Sequence, residues 1–215
     1  DLRSYDILGN HAPIYFDIST FGYFAAPLVV ATTVIASEAH IKMPASLSQL
    51  IEKEKVTVWY SVPLALIQML QRGALEQRNM EQLRWVIFAG ELFPTKHLRQ
   101  LMLQWPKARF SNAYGPTETN VCTYYNVPDI LENDAPISIG KAWNNTEILI
   151  LKEDNQITEE LPKFNLEVNL SPVEFKGNCL SKMEKELREK LKKIAVASEG
   201  FNADYVLAGI LPTIR

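Results

Sequence analysis

At 215 residues, 47% hydrophobic and 22% charged, the chain carries enough apolar material for a core, which excludes wholesale disorder. Its net charge of −3 excludes the basic excess of a dedicated nucleic-acid binder. Cys122 and Cys179, its two cysteines, are too far apart in sequence to suggest a zinc site or a disulfide framework, so a reducing, cytoplasmic compartment is expected.

The N-terminus, Asp1-Leu2-Arg3-Ser4, has no initiator methionine and no signal-peptide pattern, and reads as an excised piece of a longer protein or a processed chain. The longest apolar stretch, Tyr23 to Ala36, contains Pro27, Thr32 and Thr33 and is shorter than the roughly 20 residues of a membrane helix. From about residue 16 to 152, β-rich runs alternate with helical segments. That pattern predicts an α/β fold with an open, mostly parallel sheet and flanking helices. Strands are predicted at Thr32–Ile35, Val56–Tyr60, Leu83–Phe88, Ala108–Asn112, Thr123–Val127 and Glu147–Leu151. Helices are predicted at Ser46–Glu54, with Ser46 as N-cap, at Pro63–Gln71, stopping near Gly73, and from Pro94-Thr95 to before Pro106. After Glu160 the pattern changes to a short βαβ tail: a strand at Phe164–Leu170, a helix capped by Asn178 and a strand at Tyr205–Leu211. Two regions are expected, 1–158 and 159–215.

Gly90-Glu91 and Gly115-Pro116-Thr117-Glu118 each follow a predicted strand, where open α/β sheets collect ligands. In Asn112-Ala113-Tyr114-Gly115-Pro116-Thr117-Glu118, Gly115 and Pro116 set a tight turn and glycine permits close approach of a phosphate. Thr117 offers a hydroxyl, and Glu118 a carboxylate able to hold Mg²⁺ beside phosphate oxygens. Tyr114 offers a face for a base, and the Asn112 amide both donates and accepts. Together they suit a nucleotide pocket. His11, His40 and His97 fit no triad or metal spacing, so surface or helix-packing roles are expected, and the four tryptophans are assigned to packing.

The same seven residues resemble the core motif of the adenylation domains of non-ribosomal peptide synthetases and of stand-alone amino-acid:AMP ligases. Phe16-Asp17-Ile18-Ser19 and Phe88-Ala89-Gly90-Glu91 agree in order and spacing, and the resemblance covers about residues 11–158. It implies ligation of an amino acid with ATP and Mg²⁺ to an acyl-adenylate and pyrophosphate, then transfer to an acyl- or peptidyl-carrier thiol, without nucleic acid or membrane. Asp17 would pair with the substrate ammonium, although Asp17 or Ser19 also suits a helix N-cap. Gly90, Glu91, Asn112, Ala113, Tyr114 and Gly115 would bind the nucleotide. Thr117 would contact the α-phosphate and Glu118 the metal. Ile18, Phe21, Tyr60, Ile87, Ala89, Ala113, Val121 and Cys122 match the specificity pocket, with Ile18 and Ile87 equally suited to core packing. The set is apolar and most similar to that of proline-activating ligases, so a small hydrophobic amino acid is expected.

The family's glycine-rich phosphate loop, ribose-binding aspartate and C-terminal lysine domain have no counterpart in the sequence. The 215-residue chain is therefore expected to be inactive alone and to leave a sheet edge with an exposed apolar patch. From Phe164 the tail resembles glutamate-cysteine-ligase-like carboxylate-amine ligases, through Asn165-Leu166-Glu167-Val168-Asn169-Leu170-Ser171-Pro172, Gly177-Asn178-Cys179 and Gly209–Arg215. There Glu167 would be a metal or substrate contact, or a solvent-side glutamate. The tail leaves two alternatives open: carboxylate-amine ligation, and a non-catalytic fusion remnant that at most binds nucleotide.

Overall fold

A computed structural model of the protein describes residues 2–129, 131, 134–144 and 146–148. The chain divides into two units, Asp1–Thr146 and Glu147–Arg215, and the described fold belongs to the first. Most of the strand expected from Glu147, the boundary at 158/159 and the whole βαβ tail, with Glu167 and Cys179, lie outside the described residues.

Seven strands form one sheet: β1 (Ile7–Asn10), β2 (Thr32–Ile35), β3 (Val58–Ser61), β4 (Trp85–Ala89), β5 (Arg109–Tyr114), β6 (Thr123–Asn126) and β7 (Lys141–Ala142). Their order is β2-β1-β3-β4-β5-β6-β7. The first five run parallel, and β6 and β7 add antiparallel. The order of the parallel strands puts a switch point between β1 and β3, where ligands collect at strand carboxyl ends.

Side-chain alternation gives the sheet two different faces. On the first, Trp59, Val86, Phe88 and Phe110 meet three helices: α3 (Pro44–Lys53), α4 (Pro63–Arg72) and α5 (Thr95–Gln104). Each helix buries an i, i+3 or i, i+4 pair: Leu47 and Ile51, Leu66 and Met69, Leu98 and Leu101. On the second face, Leu8, Val58, Ile87 and Ala113 meet only a short cover around Phe21 and Ala26. This cover is a 3₁₀ turn (Asp17–Ser19), a π turn (Phe21–Ala25) and α1 (Ala26–Leu28). One face is sealed by helices and the other thinly covered.

The expected mostly parallel sheet with flanking helices is present. The helix placed at 46–54 begins instead at Pro44, because proline at the first position needs no backbone partner. Ser46 therefore is not its N-cap; its hydroxyl bonds His40 Nδ1 at 2.7 Å, from the preceding α2 (Glu38–Ile41). The third strand starts two residues later than Val56, since Thr57 turns its hydroxyl to other work described below. Strand β1 escaped the pattern because Leu8-Gly9-Asn10 lacks strand composition. A Cβ at Gly9 would stand 2.3 Å from Trp59, so glycine lets the β3 indole lie against β1. Strand β2 is a sheet edge, and Leu28, Val30 and Ile35 around it are exposed. No described helix is long and apolar enough to cross a membrane.

The amino edge of the parallel strands is tied by one buried carboxylate. Arg84 approaches Asp6 as a fork, Nε to Oδ1 at 2.8 Å and Nη2 to Oδ2 at 2.5 Å. Thr57 Oγ1 donates to Oδ1 at 2.8 Å and the Arg3 amide to Oδ2 at 2.7 Å. The bonds from Arg84, with those from Thr57 and Arg3, outweigh the cost of burial and hold the Asp6 carboxyl down at about 2. At the carboxyl edge, His11 is stacked on Trp59 (centroids 5.0 Å apart, 12° between planes) and shares a 2.8 Å hydrogen bond with Ser61 Oγ. It is neither a surface nor a helix-packing histidine, because β1 and β3 bring it against the indole. Burial pushes its imidazole down to about 4.

Two stability predictions follow from these edges. A carboxyl whose folded value is depressed stabilises fully above its unfolded value and loses that contribution as pH falls through about 2. Asp6→Asn is expected to cost about 2 kcal/mol at pH 7 and to flatten the acid limb between about pH 4 and 2 in urea unfolding; an unchanged limb would contradict the network. His11 stays neutral in the fold while the unfolded imidazole protonates, so stability should fall as pH drops from about 6.5 toward 4, by up to about 3 kcal/mol. In His11→Gln that slope should disappear from the same unfolding series.

Candidate active site

Strand register decides which residues can share a pocket. Tyr60 pairs with Ile87, and Ala89 with Ala113; all four lie on the thinly covered face. There Phe21, Tyr60, Ala89 and Val121 surround the buried Ile87 and Ala113. Phe21 meets Tyr60 edge-on, with ring centroids 5.5 Å apart. Six of the sequence-predicted pocket residues are thus brought into one cluster. Ile18 and Cys122 are half-buried and stand outside it; Cys122 Sγ lies 2.8 Å from Thr119 Oγ1 instead.

Asp17 opens the 3₁₀ turn that follows β1. The N-cap is Phe16, without a side-chain cap bond, so neither Asp17 nor Ser19 caps a helix here. Ser19 instead donates back to the Phe16 carbonyl at 2.7 Å, and Asn10 Nδ2 donates to the Ser19 carbonyl at 3.1 Å. These bonds pin the turn to the carboxyl end of β1. Burial, and then the charge of nearby Asp17, push the Tyr60 hydroxyl far above its ordinary value. A carboxylate thus lies within electrostatic reach of a protonated hydroxyl at the edge of an otherwise apolar cluster.

The seven-residue motif is half strand and half turn. Asn112, Ala113 and Tyr114 end β5 instead of forming a loop, and only Gly115 onward leaves the sheet. Alternation then puts Asn112 and Tyr114 on the face opposite Ala113. Asn112 is buried and its amide donates to the Ser138 carbonyl at 2.9 Å. Its Oδ1 accepts no hydrogen bond among the described residues. The Tyr114 ring is half exposed. A Cβ at Gly115 would stand 1.6 Å from the Asn120 carbonyl oxygen, so the return of the chain at Asn120 forbids any other residue there. Thr119 N bonds the Pro116 carbonyl at 3.1 Å, which places Thr117 and Glu118 at the tip of a turn. Both are exposed, and neither side chain is engaged among the described residues.

Gly90, with φ +90°, ends β4 in a conformation that favours glycine. Glu91 has a structural duty that its sequence did not reveal: Oε2 accepts the Leu64 amide at 3.0 Å, at the amino end of α4. Sequence reasoning also missed Thr20 and Asn120, which join the two halves of the site. Asn120 carries a signal, since it is left-handed (φ 57°) and asparagine tolerates that region.

This donor set fits a nucleotide: a half-exposed aromatic face, an amide oxygen left for an exocyclic amine, and a turn whose hydroxyl and carboxylate are unengaged. No group of three His, Cys, Asp or Glu side chains gathers among the described residues. Mg²⁺ held by Glu118 would therefore complete its shell with phosphate oxygens and water, its usual habit.

The family model described as AMP-binding enzyme matches residues 1–162. A curated relative, the L-proline–[L-prolyl-carrier protein] ligase of Pseudomonas fluorescens, is 40% identical over 146 residues, covering 67% of this chain and 29% of its own length. The D-alanine–D-alanyl carrier protein ligase of Bacillus anthracis is 25% identical over 162 residues, covering 74% of this chain and 32% of its own. Among solved structures, the Vibrio cholerae adenylation domain AlmE in complex with glycyl-adenosine-5'-phosphate superimposes with a TM-score of 0.65 at 26% identity, covering 73% of this chain and 29% of that one. The chain thus spans about a third or less of the length of these relatives. With the matched residues containing the whole of the sheet and the motif at its carboxyl edge, the chain belongs to the AMP-binding enzyme family.

Proposed function

We propose that the described residues form the amino-acid and adenine sides of an adenylating site, which activates a small hydrophobic amino acid, proline foremost, for transfer to a carrier protein. The carrying observation is the division of the sheet's carboxyl edge. Phe21, Tyr60, Ile87, Ala89, Ala113 and Val121 gather on one face, with Asp17 within electrostatic reach of Tyr60, and Gly90, Asn112 and Tyr114 follow from the other. A substrate carboxylate lying over the end of β5 would then meet a nucleotide phosphate at Thr117. The 40% identical relative, named for proline and its carrier, supports the same substrate.

In this reading Asp17 receives the substrate ammonium. The pairing rejects plain carboxylic acids, because without the ammonium the half-buried carboxylate is left unmatched. The apolar wall holds the side chain and presents no charge to a charged one. Tyr114 stacks on adenine and Asn112 Oδ1 accepts from its exocyclic amine. The substrate carboxylate oxygen attacks the α-phosphorus of ATP, the bond to the bridging oxygen breaks, and pyrophosphate leaves with the electron pair. Thr117 donates to the α-phosphate oxygen, where charge builds. Mg²⁺ on Glu118, when bound, neutralises phosphate charge. The acyl group would next pass to a carrier thiol, releasing AMP, in the cytoplasm where ATP is supplied.

The test uses a non-hydrolysable prolyl-sulfamoyl adenosine and its carbocyclic analogue, in which carbon replaces the amine nitrogen. Calorimetry on the 215-residue chain should show the prolyl compound binding about 10- to 100-fold tighter, the value of one charge-assisted hydrogen bond. Asp17→Asn should erase the difference; equal binding of both compounds to the unaltered chain would sink the amino-acid side of the reading. Tyr114→Ala should weaken AMP by about tenfold or more through lost stacking, and an unchanged AMP affinity would remove Tyr114 from the nucleotide site.

A further inference from the structure

The two sides of the site come from segments a hundred residues apart in sequence, the turn at 16–20 and the turn at 115–120. A directed chain of hydrogen bonds joins them. Asn120 Nδ2 donates to Thr20 Oγ1 at 3.2 Å, and Thr20 Oγ1 donates onward to the Asp17 carbonyl at 2.5 Å. Both polar atoms of the Asn120 side chain are engaged. Its Oδ1 accepts the Val121 amide at 2.9 Å, which orients the side-chain amide so that its NH₂ faces Thr20. Its backbone carbonyl abuts Gly115, and its left-handed φ of 57° turns the chain back so that Cys122 N reaches the Tyr114 carbonyl at 2.8 Å. Thus Asn120 lies against the turn at 115–120, while Thr20 is bonded to the backbone of Asp17.

We propose that Thr20 and Asn120 are positioning residues that set the separation between the Asp17 carboxylate and the Tyr114–Glu118 turn, so that an aminoacyl-adenylate fits both at once. The inference rests on the function proposed above. Neither residue touches substrate in it. Their bond acts by holding Asp17 where the ammonium arrives when the adenine and α-phosphate are seated. The Thr20 hydroxyl both accepts and donates, and such linked hydrogen bonds strengthen one another, while tethering two half-sites at one distance lowers the ordering cost of a ligand that bridges them. A ligand that occupies one half alone gains nothing from the tether.

That difference gives the test. Kd is measured by calorimetry for AMP and for prolyl-sulfamoyl adenosine on the unaltered 215-residue chain, Thr20→Val, Thr20→Ser and Asn120→Gly. Glycine is chosen because it keeps the left-handed backbone. The unaltered chain should prefer the prolyl compound; if it does not, the proposed function fails, independently of this inference. Given that preference, Thr20→Val and Asn120→Gly should each weaken the prolyl compound by about threefold to tenfold, the range of one hydrogen bond. AMP should change by less than about twofold, and Thr20→Ser should restore the unaltered ratio. The double variant Thr20→Val/Asn120→Gly should be no worse than the weaker single, because both remove the same bond. Equal loss for both ligands, additive losses in the double variant, or failure of serine to restore the ratio would overturn the proposal. Thermal melts within a few degrees of the unaltered chain confirm that folded protein is compared.

Discussion

Everything in this unit depends on the register of the parallel strands β1, β3, β4 and β5, because register and two-residue alternation together decide which side chains can meet. Tyr60 opposite Ile87 and Ala89 opposite Ala113 build one wall from residues that are far apart in sequence. A slip of one residue would turn that wall toward α3, α4 and α5 and put Phe88 and Phe110 into the pocket. The register resists such slippage on the sealed face, where Trp59, Val86, Phe88 and Phe110 interlock with three helices. In the proposed function the thinly covered face is then free for a ligand.

The two edges of the sheet divide the remaining labour. At the amino edge a fully buried Asp6 gathers Arg84, Thr57 and the Arg3 amide, which ties the starts of β1, β3 and β4 by charge-assisted bonds. At the carboxyl edge the groups are more scattered: a buried, neutral His11 bonded to Ser61, a glutamate at the start of α4, a turn at Pro116–Thr119. Strong polar bonding far from the site fixes the frame. Loops at the other end can carry unengaged oxygens on Thr117 and Glu118 without endangering it. In the proposed function these are the groups left for phosphate and metal, which the protein itself must not satisfy.

Much of this was legible in the residues. The α/β pattern, the helices from Pro63 and Thr95 and the strands at Thr32–Ile35 and Thr123–Asn126 agree with the sequence to within about two residues. Six of the residues matched by resemblance share one apolar cluster. What was illegible shares one cause, dependence on a distant partner. Leu8-Gly9-Asn10 reads as no strand until Trp59 occupies the space above Gly9. Asp6 and His11 look like ordinary polar residues until Arg84 and Trp59 reach them. Glu91 matched a nucleotide motif, yet its carboxylate is taken by a helix twenty-seven positions earlier.

The residues alone determined the class of fold, the positions where the chain must turn and the chemical kinds of group on offer, because periodicity, proline, glycine and side-chain chemistry are local properties. Tertiary structure decided which of those groups are free and which are spent. It committed one face of β5 to Asn112 and Tyr114 and the other to Ala113, set Asn120 against Thr20, and left Thr117 and Glu118 open to solvent. Hydrogen-bonding capacity belongs to a residue, but whether it remains available depends on neighbours that only the folded chain supplies.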